Sequence, residues 1–146
     1  MDIAIEHLRL SELVAFLREQ ADDAFPDLKD ELRLNMLAKK WHKNAEFCTC
    51  RNDSNHLIGM IAFYANMPEE GIAYIPHVYV TNNYRGQNLM STMMNIIKEY
   101  VKQKGFHSMH LEVQKDNERA QRAYYHYGFE WLGASEKSIY LLYRIS

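Results

Sequence analysis

The segment from Val80 to Ser91 has the composition of an anion-binding turn at the start of a helix. A strand-like run, residues 72–80, leads into a polar turn, residues 81–88, and a helical pattern follows. The first turn of a helix has backbone N–H groups without intrahelical partners, and the helix dipole adds partial positive charge there. A phosphate or pyrophosphate can bind such an end through the backbone alone. The residues predicted to do so are Arg85, Gly86, Gln87, Asn88, Leu89, Met90 and Ser91.

Four nitrogen and sulfur donors in the middle of the chain suggest a different chemistry, zinc binding. They are His42, Cys48, Cys50 and His56. Paired zinc cysteines usually flank a tight turn, whereas Cys48 and Cys50 fall inside a strand-like run. We therefore predict no metal site and two reduced cysteines that pack as small apolar groups.

Length and composition favour a single compact domain, residues 1–146. The chain is 47% hydrophobic and 25% charged, and its net charge is -2. This balance provides no general basic field for nucleic acid or an anionic membrane. No apolar run reaches the roughly 18 residues of a spanning helix, and the N-terminus lacks a signal pattern. The sequence predicts a cytoplasmic protein that binds neither nucleic acid nor membrane.

Hydrophobic periodicity predicts an α/β (α+β) fold in which early antiparallel strands give way to alternating helices and strands. The predicted strands are residues 3–10, 46–51, 57–66, 72–80, 106–113, 129–132 and 138–145. The predicted helices are one that follows an N-cap at Ser11, then residues 28–41, 87–104 and 117–127. Gly105 and Gly128 are expected to end the last two helices.

Pro76 lies inside the predicted strand of residues 72–80. Proline cannot donate a hydrogen bond to a neighbouring strand, so it marks an irregularity or an edge. We expect either a local irregularity near His77 in a central strand or a plain edge strand.

Several motifs in the second half of the chain resemble the acetyl-CoA-dependent GNAT N-acetyltransferases. They are Val78-Tyr79-Val80, Tyr84-Arg85-Gly86-Gln87-Asn88-Leu89-Met90, Leu111-Glu112-Val113, Asn117-Glu118-Arg119-Ala120 and Tyr124-Tyr125-His126-Tyr127-Gly128-Phe129. The resemblance covers residues 57–131 and is only topological before that. It implies a mixed, mostly antiparallel central sheet of about 6–7 strands, with helices on both faces. It also implies that strand 72–80 splays from strand 106–113, where pantetheine would bind.

The resemblance implies acetyl-CoA as co-substrate, held by the backbone of Val78, Tyr79 and Val80, by the loop 85–91, and by Asn117 and Tyr124. In the family's phosphate-binding loop, Arg or Gln is followed by two variable residues, then Gly, one variable residue, and finally Gly or Ala. This chain has Arg85, Asn88 and Met90 in those places. Asn tolerates left-handed backbone angles, so Asn88 can replace a glycine, whereas Met90 narrows the space near the pyrophosphate.

The same resemblance assigns Tyr124 as the general acid that protonates the departing CoA thiolate. Tyr125 and Tyr127 are its competitors, and a packing role for Tyr124 is the structural alternative. A backbone N–H in residues 78–80 would donate to the thioester oxygen.

The general base is predicted to be His77, because an imidazole titrates near neutral pH and this one lies in the suspected irregularity. Glu112 and Glu70 are alternatives, and a purely structural His77 is as well supported by the sequence as a catalytic one.

The acceptor is predicted to be a primary amine of a small molecule, such as an amino sugar, that attacks acetyl-CoA directly in a ternary complex. A protein N-terminus or lysine is the alternative substrate, and a non-catalytic acyl-CoA-binding or interaction module is the alternative function. A homodimer is compatible with the sequence, which does not itself predict one. Candidate pocket residues are Trp41, Tyr64, Asn66, Tyr74 and Tyr79.

Overall fold

The computed structural model describes residues 1–145. Over this range the seven strands are β1 (Asp2–Glu6), β2 (Glu46–Arg51), β3 (Leu57–Tyr64), β4 (Ile72–Val80), β5 (Ser108–Gln114), β6 (Glu130–Ala134) and β7 (Ser138–Arg144). The four α-helices of the same range are α1 (Leu10–Ala21), α2 (Glu31–Asn44), α3 (Leu89–Gln103) and α4 (Glu118–Tyr127). Short 3₁₀ helices occur at Pro26–Lys29, Pro68–Glu70 and Asn82–Tyr84.

The strands form one mixed sheet in the order β1-β2-β3-β4-β5-β7-β6. The pairs β1 with β2, β2 with β3, β5 with β7, and β6 with β7 are antiparallel. Strands β4 and β5 are parallel. The predicted fold class, a mostly antiparallel mixed sheet with helices, is confirmed. Because β4 has a neighbour on each side, the alternative of a plain edge strand was wrong.

The chain divides into two compact units. Unit 1 contains residues 1–63 and 77–97, and unit 2 contains residues 64–76 and 98–146. In unit 1, the apolar faces of α1 and α2 contribute Leu13, Leu17 and Leu34 to a buried core that also includes β2 and β3 side chains. In unit 2, Met109 and Leu141 are fully buried on neighbouring strands.

Arg51 fastens the N-terminal part of unit 1. Its guanidinium donates to both carboxylate oxygens of Glu6 on β1 (2.9 and 3.1 Å) and of Glu12 on α1 (2.9 and 3.1 Å). These hydrogen bonds lower the pKa of both carboxyl groups. Because the Arg51 side chain is only 12% exposed, the pairs are shielded from solvent more than an ordinary surface ion pair is.

The first two helices begin at other residues than the sequence predicted. Strand β1 ends at Glu6, and α1 begins at Leu10, so Ser11 lies inside the helix and does not cap it. Helix α2 begins at Glu31 because the carboxylate of Asp30 accepts from Leu32 N (3.0 Å) and Arg33 N (3.3 Å). Pro26–Lys29 forms a separate turn, so the predicted start of this helix at residue 28 was wrong.

Two large apolar residues of α2 point to solvent. Leu32 is 72% exposed and Met36 is 63% exposed, whereas Leu34 and Trp41 are buried. The spacing of apolar residues therefore overstated the hydrophobic face of α2. The packed face is the one that carries Leu34, Ala38 and Trp41.

In unit 2 the ladder between β4 and β5 is short. It pairs Ile72 with Ser108 and continues to Ile75 with Leu111, where it ends. The next residue of β4 is Pro76, which has no N–H to donate. The end of the parallel ladder therefore coincides with the proline that predicted an irregularity there.

No helix within residues 1–145 has both the length and the apolar composition that crossing a membrane requires.

Candidate active site

The loop that precedes α3 has the backbone form of an anion-binding turn. Gly86 has φ 84° and Asn88 has φ 59°, both in the left-handed region. The first backbone bond of the helix runs from Thr92 N to Asn88 O (3.1 Å). The N–H groups of Leu89, Met90 and Ser91 therefore precede the intrahelical ladder. The helix begins at Leu89, two residues later than predicted, because left-handed Asn88 does not have helical backbone angles.

Gly86 leaves open space beside the backbone. A Cβ atom built at this position would meet no atom within 4 Å. Gly86, Gln87 and Asn88 are all exposed. An anion could therefore approach the main chain of this loop closely.

The Arg85 side chain folds back onto its own loop. Its Nε donates to Val80 O (2.9 Å), Nη1 donates to Asn82 Oδ1 (3.3 Å), and Nη2 donates to the Asp23 carboxylate. Its backbone N–H donates to Asn82 O (3.3 Å). These contacts use three of the five guanidinium N–H groups, so the Arg85 side chain stabilises the turn and two of its donors remain.

Tyr79 packs inside unit 1. It is 5% exposed, its ring meets Phe16 edge-on with centroids 5.7 Å apart, and its hydroxyl donates to Asp23 Oδ2 (2.6 Å). Burial, followed by this hydrogen bond, raises the pKa of Tyr79. The Tyr79 ring is therefore part of the core, and its predicted contribution to cofactor binding would have to come from its backbone.

Near the C-terminal end of β4, the backbone N–H and C=O groups of successive residues point to alternate sides of the strand. Thr81 N donates to Ile58 O (2.8 Å), which directs Thr81 toward β3. Since successive residues of a strand turn their N–H and C=O groups to opposite sides, those of Val80 and Val78 point away from β3. Val80 O meets Arg85 Nε on that side. The Val78 N–H is thus directed away from β3 and lies beyond the four-residue ladder with β5.

His77 is buried between two aromatic rings of unit 1. Its ring lies 4.5 Å from the Phe25 ring and 4.9 Å from the Trp41 ring, measured between centroids. Its Nε2 lies 2.6 Å from Gln20 Oε1. Because a carbonyl oxygen can only accept, Nε2 carries the proton in this arrangement.

This environment keeps His77 neutral. Burial lowers the pKa of His77 to about 4, with a small opposing effect from the charge of Asp27. The side chain is 7% exposed and one of its nitrogens already donates to Gln20. The structure thus favours the structural role that the sequence left open, and it also places Trp41 in the core against His77.

In unit 2, Asn117 caps α4. Its Oδ1 accepts from Ala120 N (3.2 Å), the backbone N–H three residues into the motif. The side-chain NH₂ group of Asn117 is not used by this cap. Asn117 is exposed and could therefore still contact a ligand.

The three tyrosines of α4 have different surroundings. Tyr124 is half-buried, and its ring meets Phe129 edge-on at 5.7 Å. Tyr127 packs on Phe129 and Tyr143, with centroids 6.0 and 5.1 Å apart, and burial raises its pKa. Tyr125 is 42% exposed. Burial raises the pKa of Tyr124 to about 12, so its hydroxyl keeps a proton to donate at neutral pH.

The alternative bases and the remaining pocket residues of unit 2 lie nearer the surface. Glu112 is exposed on β5, and Glu70 is exposed in the turn before β4. Tyr64 and Tyr74 stack at 6.4 Å with 18° between their planes, and Asn66 is exposed. Among the predicted pocket residues, Tyr64 and Tyr74 are therefore the two that contact each other here.

A sequence profile described as the acetyltransferase (GNAT) family matches residues 10–129. The chain belongs to the GNAT acetyltransferase family. No match is found among curated protein sequences.

Solved structures of GNAT proteins have the same fold. PaiA N-acetyltransferase from Thermoplasma acidophilum, in complex with coenzyme A, is 18% identical, with a TM-score of 0.76 and 99% of each chain covered. A candidate acyl-CoA N-acyltransferase from Klebsiella pneumoniae is 19% identical, with a TM-score of 0.76. The match covers 99% of this chain and 97% of the Klebsiella chain. A candidate streptothricin acetyltransferase from Bacillus anthracis, in complex with acetyl coenzyme A, is 22% identical, with a TM-score of 0.63. The match covers 73% of this chain and 66% of the Bacillus chain.

The cysteines of this GNAT chain are buried side chains of β2. Cys48 and Cys50 are both 0% exposed and free of disulfides. Burial raises the pKa of Cys48 to about 12 and also raises the pKa of Cys50. His56 Nε2 lies 3.3 Å from Glu19 Oε1, and the His42 ring packs 5.1 Å from the His7 ring. Within residues 1–145 no group of three or more His, Cys, Asp or Glu is placed to hold a metal ion.

Two residues of unit 1 that hydrogen-bond to predicted site residues were not themselves predicted. Gln20 holds His77, and Asp23 accepts from both Tyr79 and Arg85. Both lie at the end of α1 or just after it, more than fifty positions before their partners in the sequence. A polar side chain on an otherwise apolar helix face, as at Gln20, was the one available signal.

The left-handed position of Asn88 leads to a stability prediction. Replacing Asn88 with valine is expected to lower the free energy of unfolding by about 1–2 kcal/mol, because a β-branched residue is strained at positive φ. Asn88→Gly is the matched control and should cost much less. Urea unfolding of both variants measures the difference, and equal losses would show that the backbone angle is not what Asn88 supplies.

Proposed function

We propose that this GNAT protein transfers an acetyl group from acetyl-CoA to a primary amine of a small molecule, such as an amino sugar. The observation that carries the proposal is the turn before α3. Gly86 and Asn88 are left-handed there, and the N–H groups of residues 89–91 precede the helical ladder. This arrangement suits the pyrophosphate of acetyl-CoA. The backbone of Gly86, Gln87, Asn88, Leu89, Met90 and Ser91 is proposed to hold it.

The reaction proceeds by direct attack of the neutral amine on the thioester carbonyl. The Val78 N–H, directed away from β3, donates to the carbonyl oxygen as negative charge develops there. A carbon–nitrogen bond forms and the carbon–sulfur bond breaks. Tyr124 gives its proton to the departing sulfur, the amine nitrogen loses one proton to water, and water returns a proton to the Tyr124 phenolate, so the net products are an amide and free CoA.

Two features of the chain support direct attack over an acetyl-enzyme. A thioester can acylate a cysteine only through the thiolate, and burial keeps both Cys48 and Cys50 protonated and away from solvent. Both also lie on β2, between strands β1 and β3. We propose a ternary complex, and a cytoplasmic location where free thiols persist.

The base is proposed to be water rather than His77. Since the pKa of His77 is about 4 in this environment, its imidazole would be a weak proton acceptor at neutral pH. Its Nε2 is also engaged with Gln20. A small amine is present partly in its neutral form at alkaline pH, so the reaction needs no buried base there.

A second candidate function is a GNAT-shaped module that binds acyl-CoA or a partner without turnover. Met90 and Asn88 in the family's glycine positions favour it, as does the engagement of the Arg85 side chain by Asp23. A protein N-terminus or a lysine is the second candidate acceptor.

Calorimetric titration with acetyl-CoA tests the proposal, with a pantetheine analogue that lacks the pyrophosphate as control. We expect micromolar affinity for acetyl-CoA and clearly weaker binding of the analogue. Thiol release with amines present then separates an enzyme from a module. Absence of acetyl-CoA binding would overturn the proposed function, and binding without thiol release would favour the module.

A further inference from the structure

The sheet of unit 2 has one buried face and one open face. Along β4 and β5 burial alternates: Ala73, Ile75, Met109, Leu111 and Val113 are buried. The residues between them point to the other side. On that side Ile72 and Tyr74 are 37% and 38% exposed, and Glu112 is exposed. We call this side the open face, formed by Ile72, Tyr74, His110, Glu112, Tyr140 and Leu142.

Strand register brings two phenols beside one carboxylate on the open face. Glu112 on β5 is directly opposite Tyr140 on β7. Tyr74 on β4 is opposite His110, which places it diagonally across from Glu112 on the same face. Diagonal neighbours lie within reach of long and aromatic side chains. The charge of Glu112 is in fact near enough to add to burial in raising the pKa of Tyr74.

Glu112 has no positively charged partner in the described chain. Its Oε2 accepts from Ser138 Oγ (2.6 Å). Within residues 1–145 its Oε1 accepts no hydrogen bond and neither oxygen forms an ion pair. The adjacent His110 has a lowered pKa, through burial and the nearby His107, and so adds no positive charge at neutral pH. An uncompensated negative charge therefore lies among aromatic side chains.

The aromatic part of this arrangement extends to Tyr64. Its ring is nearly parallel to that of Tyr74, with 18° between the planes and 6.4 Å between the centroids. The faces of aromatic rings carry partial negative charge and attract cations placed within about 6 Å. Two tyrosine faces and a carboxylate form a surface that suits an ammonium group with an aliphatic body.

We infer that the open face binds a second positive charge on the acetyl acceptor, through Glu112 and the rings of Tyr74 and Tyr64. The inference rests on the proposed function and specifies its substrate class: an amine that carries another cationic group. The bound group is the one that does not react. A carboxylate stabilises the protonated form of an amine, whereas the attacking nitrogen must be neutral.

The test compares 1,5-diaminopentane with pentylamine, which lacks the second charge. Calorimetry in the presence of CoA should show about tenfold tighter binding of the diamine to the wild-type protein. Glu112→Gln and Tyr74→Leu should each reduce that preference to about threefold or less. Glu99→Gln, at an exposed position of α3, is the control and should keep it. The ratio of kcat/KM for the two amines is the second readout.

Several outcomes would overturn the inference. Equal binding of the two amines would do so, as would Glu112→Gln lowering kcat/KM for both amines equally, since that indicates a base or a structural residue. A change from dimer to monomer in the Glu112 and Tyr74 variants, with the preference unchanged, would assign the open face to a second copy of the chain. Diamine binding that depends on Glu112 without acetyl-CoA binding would establish a cation site on the open face, but it would overturn both the proposed function and the assignment of that site to an acetyl acceptor.

Discussion

Replacing Tyr124 with phenylalanine is expected to lower kcat by about 10²–10⁴-fold while the Kd for acetyl-CoA changes by less than about twofold. A positioned general acid contributes a rate factor of this order. The substitution removes only the hydroxyl, so the edge-on contact with Phe129 stays. Transient kinetics and calorimetry measure the two quantities separately, and an effect confined to kcat indicates an interaction made in the transition state.

Tyr125→Phe is the matched control for this substitution. Tyr125 is the next residue of α4 and is 42% exposed, so losing its hydroxyl should leave kcat within about twofold. Equal losses in the two variants, or a matching loss of acetyl-CoA affinity at Tyr124, would show that the phenol is structural. Tyr127→Phe is a further comparison, since Tyr127 packs on Tyr143.

The pH dependence of the reaction gives the same assignment a second test. With its pKa raised to about 12, Tyr124 remains protonated between pH 7 and pH 10. The neutral fraction of the acceptor rises over that range. We therefore expect kcat/KM to rise with pH up to the pKa of the acceptor and to show no loss from ionisation of the phenol. A fall between pH 8 and pH 9 would contradict this.

Elements with a strong local pattern could be predicted from the sequence. The bounds of β2 and β4 agree with the prediction, because β2 ends at a polar turn and β4 lies between a glycine turn and a polar loop. Gly105 and Gly128 have φ 94° and 124°, as expected for glycines that follow helices. The predicted start of a helix was wrong where a capping side chain determines it, as at Asp30, since several residues near Pro26 could have started that helix.

The candidate site was predictable where the backbone supplies the chemistry. The turn at Gly86 and Asn88 needs residues that accept positive φ, and these residue types are visible in the sequence. Side-chain partners were not predictable in the same way. The acceptors for Tyr79 and Arg85 come from Asp23, and the partner of His77 comes from Gln20. Such contacts depend on tertiary packing, which leaves no periodic signal.

His77 illustrates how burial alters what a residue type can do. An exposed imidazole titrates near pH 6.5 and suits general base catalysis. Between Phe25 and Trp41 the charged form loses hydration, which lowers the pKa of His77 to about 4. We expect the pH profile of kcat/KM near pH 6.5 to have the same shape in the wild type and in His77→Gln. A break near pH 6.5 in the wild type that the variant loses would instead establish His77 as the base.

The same environment makes His77 a source of acid sensitivity, and this is the second large effect we expect. The folded pKa, about 4, lies below the unfolded value near 6.5, so the unfolded chain binds more protons between these values. The contribution of His77 to stability is therefore complete above pH 6.5 and is lost as the pH falls toward 4. Between pH 7.5 and pH 5 the loss should be about 2 kcal/mol.

Urea unfolding at these two pH values checks the effect by difference. His77→Gln removes the titrating group but keeps a polar side chain near Gln20. Between pH 7.5 and pH 5 this variant should therefore lose about 2 kcal/mol less free energy of unfolding than the wild type loses. His126→Gln, at an exposed position of α4, should keep the wild-type dependence. His110 also has a lowered pKa and contributes to acid sensitivity in every variant that retains it, so only the difference between proteins isolates His77. If the wild type and His77→Gln lost the same stability between pH 7.5 and pH 5, His77 would have to be charged or accessible in the folded protein, and its candidacy as the base would be restored.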